Sequence, residues 1–229
     1  MSLASRLSDV RRTIAAAAER SGRDAGSVRL IAVSKTFSVH VLEEAVGAGV
    51  FDLGESRAQE LRDKALALGP EVRWHFVGPL QTNKVRYVVG VAEMIHSLDR
   101  IGLAQAISGR AASRGKVQEV LIEVNLAGEE AKSGVEPARA LALAEETDAL
   151  DGVRVRGLMT MPPFTNDPEE ARPYFKALRE LSWDLVERLP GAGELSMGMT
   201  RDFEVAIEEG ATMVRVGEGI FGPRPRRTR

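Results

Sequence analysis

Lys35 ends the apolar run Leu30-Ile31-Ala32-Val33-Ser34-Lys35-Thr36, and an ammonium there has three chemistries open to it. It can meet a carbonyl substrate, condense with an aldehyde cofactor, or pair with a phosphate. The run follows the turn-like Arg23-Asp24-Ala25-Gly26-Ser27 and reads as a strand buried on both faces, as in a parallel sheet. Parallel α/β folds bind ligands at the C-terminal ends of their strands. The plain alternative is a lysine whose stem covers apolar surface while its head reaches water.

Two further features bear on that lysine. Gly217-Glu218-Gly219-Ile220-Phe221-Gly222 is a literal GxGxxG directly after an apolar strand. A dinucleotide fingerprint needs a following helix, a second βαβ half and an acid about 20 residues on, and the sequence given ends first. A simpler phosphate cradle remains, since backbone N–H groups in a Gly-rich turn attract anions. In Met213-Val214-Arg215-Val216-Gly217 an arginine interrupts the strand, and alternation turns it away from Val214 and Val216, toward a barrel interior. A buried guanidinium needs a partner, either a carboxylate such as Glu123 or Glu55 or a polar ligand atom.

The elements that would position these groups alternate along the chain. Strands are expected at Val28–Ser34, Val50–Gly54, Val72–Val77, Glu93–Ser97, Val117–Asn125, Val153–Thr160, Glu194–Gly198 and Thr212–Gly217. Helices are expected at Val39–Ala48, Arg57–Leu68, Arg100–Arg114, Pro137–Leu150, Pro168–Leu189 and Phe203–Glu209. Leu3, Leu7, Val10 and Ile14 mark an extra amphipathic N-terminal helix, unlike the unbroken apolar core of a signal peptide. About eight strand–helix units in 229 residues predict an α/β fold, a single (β/α)8 TIM barrel over residues 1–229 with the basic tail 223–229 frayed.

Composition excludes several classes of function. With 44% hydrophobic and 28% charged residues the chain reads as soluble and globular, and its net charge of −2 argues against nucleic acid as a partner. No apolar stretch approaches the roughly 20 residues that cross a bilayer. The absence of cysteine removes disulfides, thiolate catalysis and cysteine metal sites. A cytoplasmic monomer with no metal and no membrane partner is the expectation.

In a barrel, polar residues after the strands converge at one mouth. Here they include Lys35, Glu55-Ser56-Arg57, Gly78 to Lys84, Ser97, Asn125, Met159-Thr160, Met199-Thr200-Arg201-Asp202 and Gly217-Glu218-Gly219. Some are ordinary loop chemistry, with Ser56 and Thr82 as candidate helix caps. The turns after strands seven and eight, Ser196 to Thr200 and Gly217 to Gly219, are either tight barrel turns or the two halves of a phosphate site. A strand-one lysine, an inward arginine and such a cradle are what a pyridoxal phosphate site requires: an amine for the aldehyde, a partner for the pyridine nitrogen and donors for the phosphate.

At this point the chain resembles a known family, the YggS/PROSC pyridoxal phosphate homeostasis proteins, whose barrel is similar to the N-terminal domain of alanine racemase. The resemblance is carried by Ala32-Val33-Ser34-Lys35-Thr36, Gly54-Glu55, Trp74 through Lys84, Lys132-Ser133-Gly134, Arg156-Gly157-Leu158-Met159, Ser196-Met197-Gly198-Met199 and Thr212 through Gly222. It implies that Lys35 holds pyridoxal 5′-phosphate as a Schiff base, that Arg215 lies by the pyridine nitrogen, and that Ser196, Gly198, Thr200 and Gly217 surround the phosphate. The Glu218 backbone, Asn125 and Met159 complete the expected cofactor contacts. Two residues depart from the family pattern: Ser56 stands where Asn is common, and Glu218 where many members have a hydroxyl. Arg201 is placed to offset Glu218.

An arginine beside the pyridine nitrogen disfavours its protonation and weakens the ring as an electron sink. A two-base racemase also needs a second acid/base group, and Tyr87 and Tyr174 both fall in helical segments. The expected function is therefore cofactor homeostasis and delivery to recipient pyridoxal phosphate enzymes, with no established catalytic residue. One alternative is a pyridoxal-phosphate-dependent amino-acid racemase. The other is a cofactor-free Schiff-base barrel enzyme acting on a phosphorylated metabolite.

Overall fold

The computed structural model describes residues 1–129 and 133–223. Of the basic tail only Pro223 falls among them, so the expectation of fraying lies outside the described residues, as does Lys132. Eight short parallel strands form a closed barrel in sequence order: β1 (Arg29–Val33), β2 (Asp52–Glu55), β3 (Arg73–Phe76), β4 (Met94–Leu98), β5 (Gln118–Glu123), β6 (Val153–Met159), β7 (Glu194–Met199) and β8 (Met213–Val216). The ring closes where β8 pairs with β1, with Ile31 opposite Arg215. All eight expected strands are present, with limits shifted by a residue or two.

Around them run α1 (Leu3–Arg20), α2 (Val39–Gly47), α3 (Ala58–Leu68), α4 (Val85–Val88), α5 (Ile101–Ala112), α6 (Pro137–Asp148), α7 (Arg172–Arg188), α8 (Phe203–Glu208) and α9 (Glu218–Phe221). The single turns α4 and α9 were not anticipated, because four residues are too few to show a helical period. The helix expected from Pro168 starts as a 3-10 turn, Pro168–Ala171, in which Asp167 Oδ1 accepts from Glu169 N at 3.0 Å. Helix α1 is capped by Ser2, whose Oγ accepts from Ser5 N, and buries Leu3, Leu7, Val10 and Ile14 against α8 and α9. Neither Ser56 nor Thr82 caps a helix; α3 has no side-chain cap, and Glu55 Oε1 instead fixes the turn before it, accepting from Ser56 N at 2.7 Å and Arg57 N at 3.2 Å.

Strand alternation divides the apolar residues into two sets. Leu53, Trp74, Phe76, Ile95, Ile122 and Val214 point outward into one large core beneath the helices. Ile31, Met94, Leu121, Met159 and Met213 point inward and form a separate cluster inside the barrel. The period of two then sends Asp52, His75, His96, Glu123, Ser196 and Arg215 inward, while Glu55 faces the helices. With the interior filled, the C-terminal mouth is where this fold places a ligand.

Candidate functional site

A cavity of about 290 Å³ lies at that mouth, close to the lower limit for small-molecule sites. Its wall includes Val33 at the end of β1 with Lys35 and Phe37 beyond it, Ser56 after β2, Val77 after β3, the Met161–Thr165 segment after β6, Met199 at the end of β7 with Thr200 to Asp202 beyond it, Arg215 of β8, Gly217, and Glu218 of α9. Five of the expected cofactor contacts, Lys35, Thr200, Arg215, Gly217 and Glu218, thus share one cavity although they lie up to 183 residues apart in the chain.

The loop carrying Lys35 is held from behind by buried charge. Lys64 of α3 is 6% exposed and donates from Nζ to Ser34 O at 2.9 Å, to Glu55 Oε2 at 2.6 Å and to Glu60 Oε2 at 3.3 Å. Glu60 Oε2 also accepts from Thr36 N at 3.4 Å, and its Oε1 accepts from Arg57 at 2.7 Å. Thr36, next to the lysine, has φ of 73°, a left-handed conformation that is costly for a β-branched residue. Its buried Oγ1 has no hydrogen-bond partner among the described residues. Phe37 packs on Phe221 with ring centroids 5.0 Å apart, tying this loop to α9.

Arg215 lies beneath the cavity, 4% exposed. It donates from one terminal nitrogen to Ser196 Oγ at 2.6 Å and from the other to Thr160 O at 2.9 Å. Burial lowers its pKa to about 10, opposed by Glu123 and Asp202, so it remains cationic at neutral pH. The carboxylate partners envisaged from the sequence do not form: Glu55 is taken by Lys64, and no ion pair joins Arg215 to Glu123 among the described residues. Glu123 is 3% exposed and its Oε2 accepts no hydrogen bond. Burial foremost, with Asp99 nearby, raises its pKa from 4.5 to about 7 against the pull of Arg215.

The turn after β7 is fixed by Asp202, whose Oδ1 accepts from Met199 N at 2.6 Å and whose pKa is raised by burial. Arg201 stacks 4.8 Å above the exposed Phe164 ring at the rim. The other four expected contacts sit elsewhere. Ser196 is buried below the cavity against Arg215 and His96. Gly198 has φ of 87°, and a Cβ there would come within 2.5 Å of Ala206 Cβ, so close packing on α8 accounts for the glycine. Asn125 Nδ2 donates to Glu129 O, and Met159 fills the inner cluster.

Sequence reasoning missed the pairing of His75 with His96, the orphaned Glu123 and the buried Lys64. Only Lys64 left a signal, its i,i+4 spacing from Glu60, and on a helix that spacing reads as a surface pair. Neither tyrosine lines the cavity; Tyr87 sits among Arg62, Lys84 and Arg86, and Tyr174 is on α7.

Comparison with known proteins adds an independent line. Residues 6–225 match the family model described as alanine racemase, N-terminal domain. The pyridoxal phosphate homeostasis protein of Aquifex aeolicus is 49% identical over 226 residues, 98% of this chain and 99% of its own. Its counterpart in Pseudomonas aeruginosa is 40% identical over 97% of this chain and 96% of its own. PipY of Synechococcus elongatus, solved with PLP bound, superposes with a TM-score of 0.84 at 34% identity, covering 96% of this chain and 100% of PipY. Among the described residues no helix is long and apolar enough to cross a membrane.

Proposed function

This chain belongs to the alanine racemase N-terminal domain family and, within it, to the pyridoxal phosphate homeostasis proteins, and on that premise we propose that it binds pyridoxal 5′-phosphate covalently through Lys35. Its role on this reading is to hold the cofactor in the cytoplasm for homeostasis and delivery, without turnover.

The observation that carries the reading is the donor set of one cavity: an amine, a guanidinium, a hydroxyl and a Gly-rich turn. When bound, the cofactor supplies an electrophilic aldehyde, a pyridine nitrogen and an anionic phosphate. Lys35 offers the nucleophile, backed by the Lys64 network that fixes its loop. Thr200 and the backbone of Gly217 and Glu218 offer donors for the phosphate. Arg215 offers a fixed cation that disfavours a proton on a neighbouring ring nitrogen, which suits storage better than catalysis. Ser196 serves Arg215 and not the phosphate, since both contacts of its hydroxyl lie inside the barrel.

Borohydride reduction followed by intact-mass measurement tests the assignment. Wild type is expected to gain one phosphopyridoxyl group and Lys35→Ala none, with unchanged circular dichroism. An adduct that survives in Lys35→Ala refutes it. Thr200→Ala is expected to weaken retention by about 1–3 kcal/mol, and pyridoxal lacking the phosphate to bind poorly. Rapid exchange of an amino acid's α-proton in heavy water by the wild type would replace this reading with the racemase.

A further inference from the structure

Below the cavity, the barrel interior holds a line of polar groups that runs from Arg215 to the far end of the barrel. Asp52 opens β2, His75 lies on β3, His96 on β4, Ser196 on β7 and Arg215 on β8. His75 Nε2 is 3.2 Å from Asp52 Oδ1, and His75 Nδ1 is 3.0 Å from His96 Nε2. His96 Nδ1 is 2.8 Å from Ser196 Oγ, which accepts from Arg215 at 2.6 Å. Both imidazoles are fully buried and meet edge to face, with centroids 5.1 Å apart.

With both imidazoles neutral, the two ends determine every proton between them. A carboxylate only accepts and a guanidinium only donates. Asp52 therefore takes the Nε2 proton of His75, which leaves Nδ1 of a neutral ring to accept from His96 Nε2. His96 Nδ1 is then an acceptor as well, and it takes the hydroxyl proton of Ser196. That leaves the serine oxygen to accept from Arg215, and no group is orphaned. A second proton on His75 would reverse the order: His96 would donate to Ser196, whose own proton would have no acceptor among the described residues.

We propose that this one-way relay makes Ser196, His96, His75 and Asp52 positioning residues for Arg215, holding the guanidinium beneath the cavity with its unused N–H groups available to a ring nitrogen. The charged surroundings agree. His96 faces Arg215 from β8 and Arg29 from β1, and burial foremost, with these two cations, holds its pKa well below the usual imidazole value. Asp52 is also paired with Arg73, through Nε at 2.9 Å and a terminal nitrogen at 2.5 Å; burial opposes ionisation, but the hydrogen bonds from His75 and then Arg73 outweigh it and hold the carboxyl below the usual carboxylate range. Glu123, on β5, acts on Arg215 and carries no hydrogen bond into the relay.

The consequence for the cofactor rests on the function proposed above, whereas the relay itself is readable without any ligand. The chain has three histidines, so long-range proton–nitrogen correlation of the imidazoles in the full-length, cofactor-free protein is tractable. At neutral pH both His75 and His96 are expected as Nε2-protonated neutral rings; an Nδ1-protonated His96 or a doubly protonated His75 overturns the proposal. Asp52→Ala removes the terminal acceptor at the end of the barrel away from the cavity. It is expected to turn His96 into a mixture of tautomers and to speed cofactor loss at least threefold, whereas Asp52→Asn, which keeps an acceptor oxygen, retains the wild-type tautomer. If Asp52→Ala does not fold, His75→Phe cuts the relay one step later with the same expected result. An unchanged His96 tautomer in the variant that folds refutes the relay, while failure of wild type to bind pyridoxal phosphate would refute the cofactor reading and leave the tautomers to decide the relay.

Discussion

Glu55 and Glu123 are the same residue type, each the last residue of its strand, and both are buried, at 0% and 3% exposure. Their fates differ completely. Glu55 accepts from Ser56 N, Arg57 N and Lys64 Nζ, while Glu123 leaves one oxygen without a hydrogen bond and has its pKa raised to about 7. The cause is which face of the barrel each occupies. Glu55 points toward α3, where a lysine reaches it; Glu123 points inward, where Arg215 is held by Ser196 and Thr160. A saturated carboxylate makes a rigid support, and an unsaturated one makes a group that responds to pH and to whatever enters the mouth.

The largest expected effect breaks the saturated side. Lys64→Met leaves Glu55 buried with no counter-ion and is expected to lower stability by about 3–5 kcal/mol in urea unfolding. Adding Glu55→Gln should recover most of that loss. If the single variant costs less than about 1 kcal/mol, the contrast between the two carboxylates has no energetic content.

The unsaturated side gives a smaller effect of opposite sign. A carboxyl whose pKa is higher in the folded than in the unfolded state binds its proton more tightly when folded. Its stabilising contribution is complete below 4.5 and is lost as pH rises to about 7. Glu123→Gln is therefore expected to be more stable than wild type by about 1–3 kcal/mol at pH 8 and nearly equal to it at pH 4, measured by denaturation at both values. A variant less stable than wild type at pH 8 would mean that the ionised Glu123 is well paired.

The smallest effect sharpens the picture of the Lys35 loop. Thr36→Gly relieves a left-handed β-branched residue but loosens the unfolded chain, so the net change is expected within about 1 kcal/mol of zero. Cofactor release should nonetheless quicken, because the loop is then set by the Lys64 network and the Phe37–Phe221 contact without the backbone constraint at Thr36. Unchanged release would show that the backbone conformation at Thr36 contributes nothing to holding the lysine.

Much of this molecule was legible in its sequence because parallel strands and helices leave local periods. Buried runs such as Leu30 to Ser34 and amphipathic spacings such as Leu3, Leu7, Val10 and Ile14 predicted the barrel and its extra helix, and Lys35 was located from the end of a single run. Alternation within β8 placed Arg215 inward correctly. What alternation cannot supply is the partner. Glu55 and Glu123 were equal candidates for Arg215, yet a side chain flips face with each residue of register, and neither became its ion-pair partner. His96 meets Ser196 across 100 residues of chain, and Lys64 meets Ser34 across 30. Such contacts exist only once the barrel closes, so local periodicity determined the scaffold and the address of the lysine, while closure of the sheet decided which buried polar groups are satisfied and which remain open.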